Sequence, residues 1–327
     1  MLQAIQAIID ALSENVAITD ERGEIIAVNR GWRQFADRND LASPEYALRE
    51  NYLRVLDSSE VSVSVRRGFD QVASGRRAVF ELEYPCHSPR EKRWFLLTIT
   101  RFPHDETFLL LVSHKDITFI KSHEHAVFNV LLQTIDAIGS TIEKKDPYTS
   151  GHQRRVALLA AQIAREIGLP QREVNGVWFG ALIHDVGKIY VPAEVLNRPG
   201  RLTRVEFEFI KEHTEVGYDI VRHIEFPWPV ADIVRQHHER LDGSGYPLAL
   251  RGDAISFAAR VVAVADVFEA MSNHRPYRPA LGKDRAMAEL QRGRDVVYDA
   301  AAVDGCLAVV GAVEFDFEKL APPFDLL

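Results

Sequence analysis

The stretch Val177-Trp178-Phe179-Gly180-Ala181-Leu182-Ile183-His184-Asp185-Val186-Gly187-Lys188-Ile189 decides how this chain is read. Its first seven residues form an apolar run of helical character. His184 falls three residues after Ala181 and seven after Val177, on the stripe that a helix turns toward its core. An imidazole and a carboxylate aimed inward need partners, because a buried polar group left alone costs several kcal/mol, roughly 2–7.

The same conflict between polarity and position recurs on both sides of that stretch. His152 is in register with Val156, Leu159, Ala160 and Ile163. His213 follows Phe209 and Ile210 by four and three residues and precedes Gly217 and Ile220 by four and seven. His237 and His238 each lie four residues beyond an apolar partner, Ile233 and Val234, and Asp266 stands four after Val262 and seven after Ala259. Any one of these is most simply a core histidine or aspartate with a hydrogen bond. Five histidines and two aspartates together would bury an acceptor-rich cluster that neutral hydrogen bonding can hardly satisfy, and metal ions resolve it directly. Seven nitrogen and oxygen ligands without thiolates exceed one tetrahedral zinc site and suit two adjacent ions of iron or manganese type. Two ions about 3.5–4 Å apart can activate a water and clamp a phosphate, so phosphoester hydrolysis is the natural reaction class.

The rest of the chain frames this cluster. At 327 residues it exceeds one ordinary core, and roughly 150 residues per domain predicts two domains. Hydrophobic residues at 46% and charged residues at 26% leave no compositional case for disorder. A net charge of -8 argues against DNA or RNA held on a broad basic surface. The two cysteines, Cys86 and Cys306, form no metal or disulfide pattern and suit a reducing cytoplasm. No apolar run approaches the ~20 residues of a membrane span, and Met1 to Leu12 lacks the features of a signal peptide, so a soluble protein without a membrane partner is expected.

Before the cluster the pattern is strand-like. Val16 to Thr19 and Glu24 to Val28 flank a turn at Asp20-Glu21-Arg22-Gly23, helices follow around Asn29 to Arg38 and Ser58 to Ser74, and strands are expected at Ala78 to Tyr84, Arg93 to Phe102 and Thr107 to Asp116. This order, with Asn29-Arg30-Gly31-Trp32 and the closing Val112 to Thr118, resembles a PAS domain. The resemblance implies an α+β sensor domain with an antiparallel sheet over residues 1–120. Such domains hold haem, flavin, a small metabolite or nothing, and the sequence does not select among them. A helical linker over 121–145 carries Val127, Leu131, Thr134, Ile138 and Thr141 at three- and four-residue steps. That seam fits a homodimeric signalling helix and, equally, one amphipathic helix packed on its own domain. Residues 146–327 read as an all-α bundle, with a capping box at Thr203 and Glu206.

Two motifs in that bundle, His184 to Ile189 and His237-His238-Glu239-Arg240-Leu241-Asp242-Gly243-Ser244-Gly245-Tyr246-Pro247, resemble the HD-GYP phosphodiesterases, as do Asp146 to His152, Asn197 to Gly200 and Ala265-Asp266 leading to Arg275-Pro276-Tyr277-Arg278. The resemblance implies a two-metal centre of iron or manganese ligated by His152, His184, Asp185, His213, His237, His238 and Asp266, with Asp185 bridging. It implies that Lys188 approaches the scissile phosphate or leaving oxygen and that Tyr246, Arg275 and Arg278 contact a bent cyclic dinucleotide. The implied reaction opens cyclic di-GMP to linear pGpG or onward to GMP under control of the PAS-like domain. Tyr148 stands where some relatives carry a glutamate for a third ion, which favours a dinuclear site. Glu269 and Met271-Ser272-Asn273-His274 depart from the more usual wording of the family. The rival readings are a receptor that binds cyclic di-GMP without hydrolysing it, and an HD phosphohydrolase for another nucleotide.

Overall fold

The computed structural model describes residues 2–39, 44–55, 60–87, 91–145, 151–198, 200, 202–273, 280–312 and 315–324. The chain divides into two compact units, Met1–Asn129 and Val130–Leu327.

In the first unit, helix α1 (Leu2–Asp10) precedes a hairpin of β1 (Asn15–Thr19) and β2 (Ile25–Val28), then α2 (Arg30–Arg38), α3 (Tyr52–Val55), α4 (Glu60–Ala73), β3 (Val79–Pro85), β4 (Trp94–His104) and β5 (Thr107–Asp116). The strands form one antiparallel sheet in the order β2-β1-β5-β4-β3. This is the expected α+β architecture. Alternation along the strands divides the apolar residues between the two faces. Ala17, Leu97, Ile99, Leu110 and Val112 pack with Phe69 and Val72 of α4, while Val16, Ile18 and Leu109 pack with Ile9 of α1.

Asn29 explains why its motif follows the hairpin. It is fully buried, and its Oδ1 accepts from the Val16 and Trp32 amides at 2.9 Å each, capping α2. Its Nδ2 donates to the carbonyls of Ile9 and Glu14 at 3.1 and 2.7 Å. One side chain therefore ties α1, β1 and α2 together with its hydrogen-bonding capacity used.

Helix α5 (Thr118–Lys145) runs without interruption from the first unit into the second. The second unit continues with α6 (His152–Glu166), α7 (Gln171–Leu182), a 3-10 turn at Val186–Tyr190, α8 (Ala193–Leu196), α9 (Arg204–Val221), α10 (Val230–Gln236), α11 (Phe257–Ser272), α12 (Lys283–Gly293) and α13 (Ala300–Gly311). It is the expected helical bundle. Buried residues such as Val156, Leu159 and Ile163 of α6, Phe179 of α7, Ile233 of α10 and Phe268 of α11 form its core. The capping box at Thr203 is present, with the Glu206 carboxylate accepting from the Thr203 amide at 2.8 Å. Among the described residues no helix is long and apolar enough to cross a membrane.

His114 of β5 is held between two tyrosine hydroxyls, Tyr84 at 2.6 Å from Nδ1 and Tyr52 at 3.2 Å from Nε2. Burial pushes its imidazolium down to about 4. The unfolded chain, with histidine near 6.5, binds more protons between these values, so stability is complete above pH ~6.5 and falls as pH drops toward 4. The expected loss is on the order of 3 kcal/mol by pH 4. Hydrogen exchange of β4 and β5 amides at pH 7 and pH 4.5 reads it, and the step should disappear in His114→Gln.

Candidate metal centre

The inward-facing polar residues gather where helices end. His152 is the first residue of α6, held there by Gly151 in a left-handed conformation at φ 71°. Helix α7 stops at Leu182, so His184 and Asp185 lie just beyond its end rather than on its last turn as the apolar run suggested. His213 projects from the middle of α9, and His237 caps α10 with His238 following. Asp266 projects from α11. Except for the partly exposed His238, all are buried.

Backbone carbonyls set the imidazole tautomers. Nδ1 of His184, His213 and His237 donates to the carbonyl three residues earlier, Ala181, Ile210 and Val234, at 2.6, 2.6 and 2.8 Å. Each Nε2 is left as a bare acceptor directed into the cluster. Ligand atoms of Asp185, His213, His237 and His238 lie within 4.8 Å of one another, and so do those of His152, His184 and Asp185. Asp185 belongs to both groups. Asp266 Oδ1 stands 3.3 Å from His152 Nε2, beside the second group.

The electrostatics identify what such a cluster needs. Among the described residues the buried Nε2 of His184 has no hydrogen-bond partner, and the Nε2 atoms of His213 and His237 face each other at 3.4 Å. Burial pulls His213 down to about 4 and holds His237 and His238 well below the usual histidine range, with neighbouring histidines reinforcing the shift in the latter two. These imidazoles are neutral at pH 7. Burial also opposes charge on His152, but Glu269 and Asp266 outweigh it and hold His152 up at about 9. Burial would raise Asp185, yet Lys188 and His184 keep its carboxyl well below the usual range. Neutral lone pairs converging on ionised carboxylates form a cation site, and the donor set fits a divalent metal centre.

Two glutamates complete the arrangement. Glu269, one turn after Asp266 on α11 and 2% exposed, accepts from His152 Nδ1, while its other oxygen accepts from Arg155 Nε at 2.7 Å and Asn273 Nδ2 at 3.1 Å. It fixes the ring so that Nε2 faces the cluster. The i, i+3 spacing from Asp266 was the available signal for this partnership. Glu239, also 2% exposed, accepts from the Leu248 and Leu250 amides at 2.7 and 3.0 Å. A Cβ on Gly245 would collide with Glu239 Cα, so glycine lets the loop lie directly on the His-His-Glu turn. Glu239 lies three residues beyond the end of α10 and had no periodic signal.

Lys188 Nζ lies 2.6 Å from Asp185 Oδ2. The Tyr246 ring is 4.7 Å from that of His238 and 6.5 Å from that of His213, on the rim of the cluster. A Cβ on Gly187 would strike the His213 carbonyl, so glycine allows the turn carrying Lys188 to press against α9. Arg275 and Arg278, with Tyr148 and most of the Asp146 to His152 motif, lie outside the described residues.

Comparison with known proteins agrees with this chemistry. The model of the HD domain family matches residues 137–302, just over half of the chain. A cyclic di-GMP phosphodiesterase response regulator, RpfG of Xanthomonas campestris, is 40% identical over 177 residues, 54% of this chain and 47% of that protein. A 3'3'-cGAMP-specific phosphodiesterase 3 of Vibrio cholerae is 35% identical over 50% of this chain and 36% of its own length. A cyclic di-GMP phosphodiesterase of Thermotoga maritima is 35% identical over 61% and 54%. The chain thus spans about half or less of the length of these relatives.

Replacing Glu239 by alanine should release the Leu248–Leu250 backbone at a cost of about 2–3 kcal/mol, the range for hydrogen bonds to a charged acceptor. The expected readout is loss of hydrogen-exchange protection at the Leu248 and Leu250 amides, with the α6 and α7 amides unchanged.

Proposed function

Because the chain belongs to the HD domain family, we propose that its second unit hydrolyses a phosphodiester of cyclic di-GMP, giving pGpG or onward GMP. The observation that carries this reading is Asp185, one buried carboxylate shared by two groups of candidate ligands. We assign His152, His184, Asp185, His213, His237, His238 and Asp266 as ligands of two divalent ions of iron or manganese, which nitrogen and oxygen donors without thiolate suit. When bound, such a pair supplies Lewis-acid stabilisation of phosphoryl charge and a water acidic enough to act as nucleophile at neutral pH.

The protein's own groups have complementary roles. Lys188, anchored on Asp185 at 2.6 Å, carries a positive charge to the leaving 3' oxygen as negative charge develops there. Tyr246, its phenol kept protonated by burial, borders the substrate. Arg275 and Arg278 are assigned to the phosphates, for which guanidinium forks are well matched. Substrate and products are small anions that a local basic pocket can hold, with no need for the broad basic surface that a net charge of -8 argues against.

Control by the PAS-like unit is assigned to α5, the continuous helix that joins the two units in sequence. Val127, Val130, Leu131 and Ile138 of α5 are 68%, 62%, 42% and 45% exposed, a stripe suited to the same helix of a second copy. Light scattering of the full chain should give twice the chain mass, and Val127→Glu with Leu131→Glu should return it to one. Cysteines that are free, one of them buried, accord with a cytoplasmic setting.

The deciding assay uses anaerobically purified protein loaded with iron or manganese, offered cyclic di-GMP beside 3'3'-cGAMP, with metal content measured in parallel. Turnover of cyclic di-GMP with about two ions per chain is expected, falling at least about a thousandfold in Asp185→Ala with loss of metal. Tight binding without turnover under every metal would replace hydrolysis by a receptor role, and preference for 3'3'-cGAMP would reassign the substrate.

A further inference from the structure

Helix α9 carries, six and two residues before His213, two residues, Phe207 and Lys211, that the ligand cluster does not use. Phe207 is 44% exposed, and its ring meets that of Tyr246 edge-on, centroids 6.3 Å apart at 80°. Tyr246 in turn packs on His238 at 4.7 Å, so Phe207 continues the surface of the cluster outward. Lys211, one turn further along α9, sets its Nζ 4.9 Å from the Phe207 ring and 5.5 Å from the Tyr246 ring. Its ion-pair partner is Glu208 at 3.1 Å, a carboxylate 58% exposed. An exposed pair of this kind is worth at most about 1 kcal/mol, so Lys211 is readily redirected to a ligand.

We propose that Phe207 and Lys211 form a guanine subsite beside the metal centre. Phe207 stacks on the base, and the Lys211 ammonium donates to the guanine O6 and N7. The chemistry selects between purines. A lysine has three donors and no acceptor, and guanine presents two acceptors on that edge where adenine presents N7 and a donating amino group. Sequence-tolerant stacking on the phenyl ring supplies affinity, and the ammonium supplies discrimination. Lys211 is thereby the residue that favours a guanine over an adenine at this position. The proposal rests on the cyclic dinucleotide reading of the site and deepens it.

The test is calorimetric binding of cyclic di-GMP and cyclic di-AMP to metal-loaded full-length protein, with KM for cyclic di-GMP as a second readout. Wild type is compared with Phe207→Ala, Phe207→Tyr and Lys211→Met, each first shown to hold the same metal content as wild type. Phe207→Ala should weaken cyclic di-GMP binding and raise KM about tenfold, while Phe207→Tyr stays within about twofold of wild type. Lys211→Met should lower the ratio of cyclic di-GMP to cyclic di-AMP affinity about tenfold. Unchanged affinity in Phe207→Ala, or an unchanged ratio in Lys211→Met, overturns the subsite. Wild-type binding without turnover defeats the hydrolytic reading alone, because the two affinity comparisons still judge the subsite. Absence of binding by the wild type defeats both.

Discussion

Everything in the second unit is arranged around the compensation of one buried carboxylate. Asp185 is 2% exposed and ionised, with Lys188 at 2.6 Å and the Nε2 atoms of His184 and His213 at 3.3 and 3.4 Å. Removing such a charge from water costs several kcal/mol unless opposite charge is supplied at close range. The lysine supplies part of it, and the His213 imidazole, held neutral by burial, supplies no charge. A fold that spends a helix start, two helix ends and two mid-helix positions on lone pairs aimed at one point is organised for cations.

The helix ends are the means of aiming. A side chain within a regular helix points where its periodicity sends it, whereas a residue just past the last turn can be directed by the local backbone. His184, Asp185, His237 and His238 all occupy such positions, and carbonyls three residues earlier clamp the rings of His184 and His237 in one tautomer. Glu269 does for His152 what those carbonyls do for the others, with Arg155 and Asn273 holding the carboxylate itself. The result is a preorganised donor set whose orientation is already settled by protein groups.

The loop that follows the histidine pair shows the same economy. Glu239 is adjacent in sequence to His238 yet turns its carboxylate away from the cluster, onto the amides of Leu248 and Leu250. Gly245 permits the close approach, and Tyr246 is thereby laid against His238. The motif from His237 to Pro247 is consequently one folded piece, in which two residues face the cluster, one anchors the loop and one forms the rim. Phe207 and Lys211 extend that rim from a different helix, about forty residues earlier in the chain.

Much of this was legible in the amino-acid sequence, because polar residues at apolar periodicity are a local signal. The registers of His152, His213 and Asp266 with their apolar neighbours placed them inward, and the alternation of the first 120 residues gave five strands in the order in which they are found. What only the tertiary structure decided were relations between elements. That Glu269 reaches across from α11 to orient a ring on α6, and that Glu239 serves the loop rather than the cluster, both depend on distances between segments. The end of α7 at Leu182, short of His184, was also decided there, where the chain turns into the 3-10 segment Val186–Tyr190. Periodicity reports which face a residue occupies on its own helix, and it carries no information about what stands opposite.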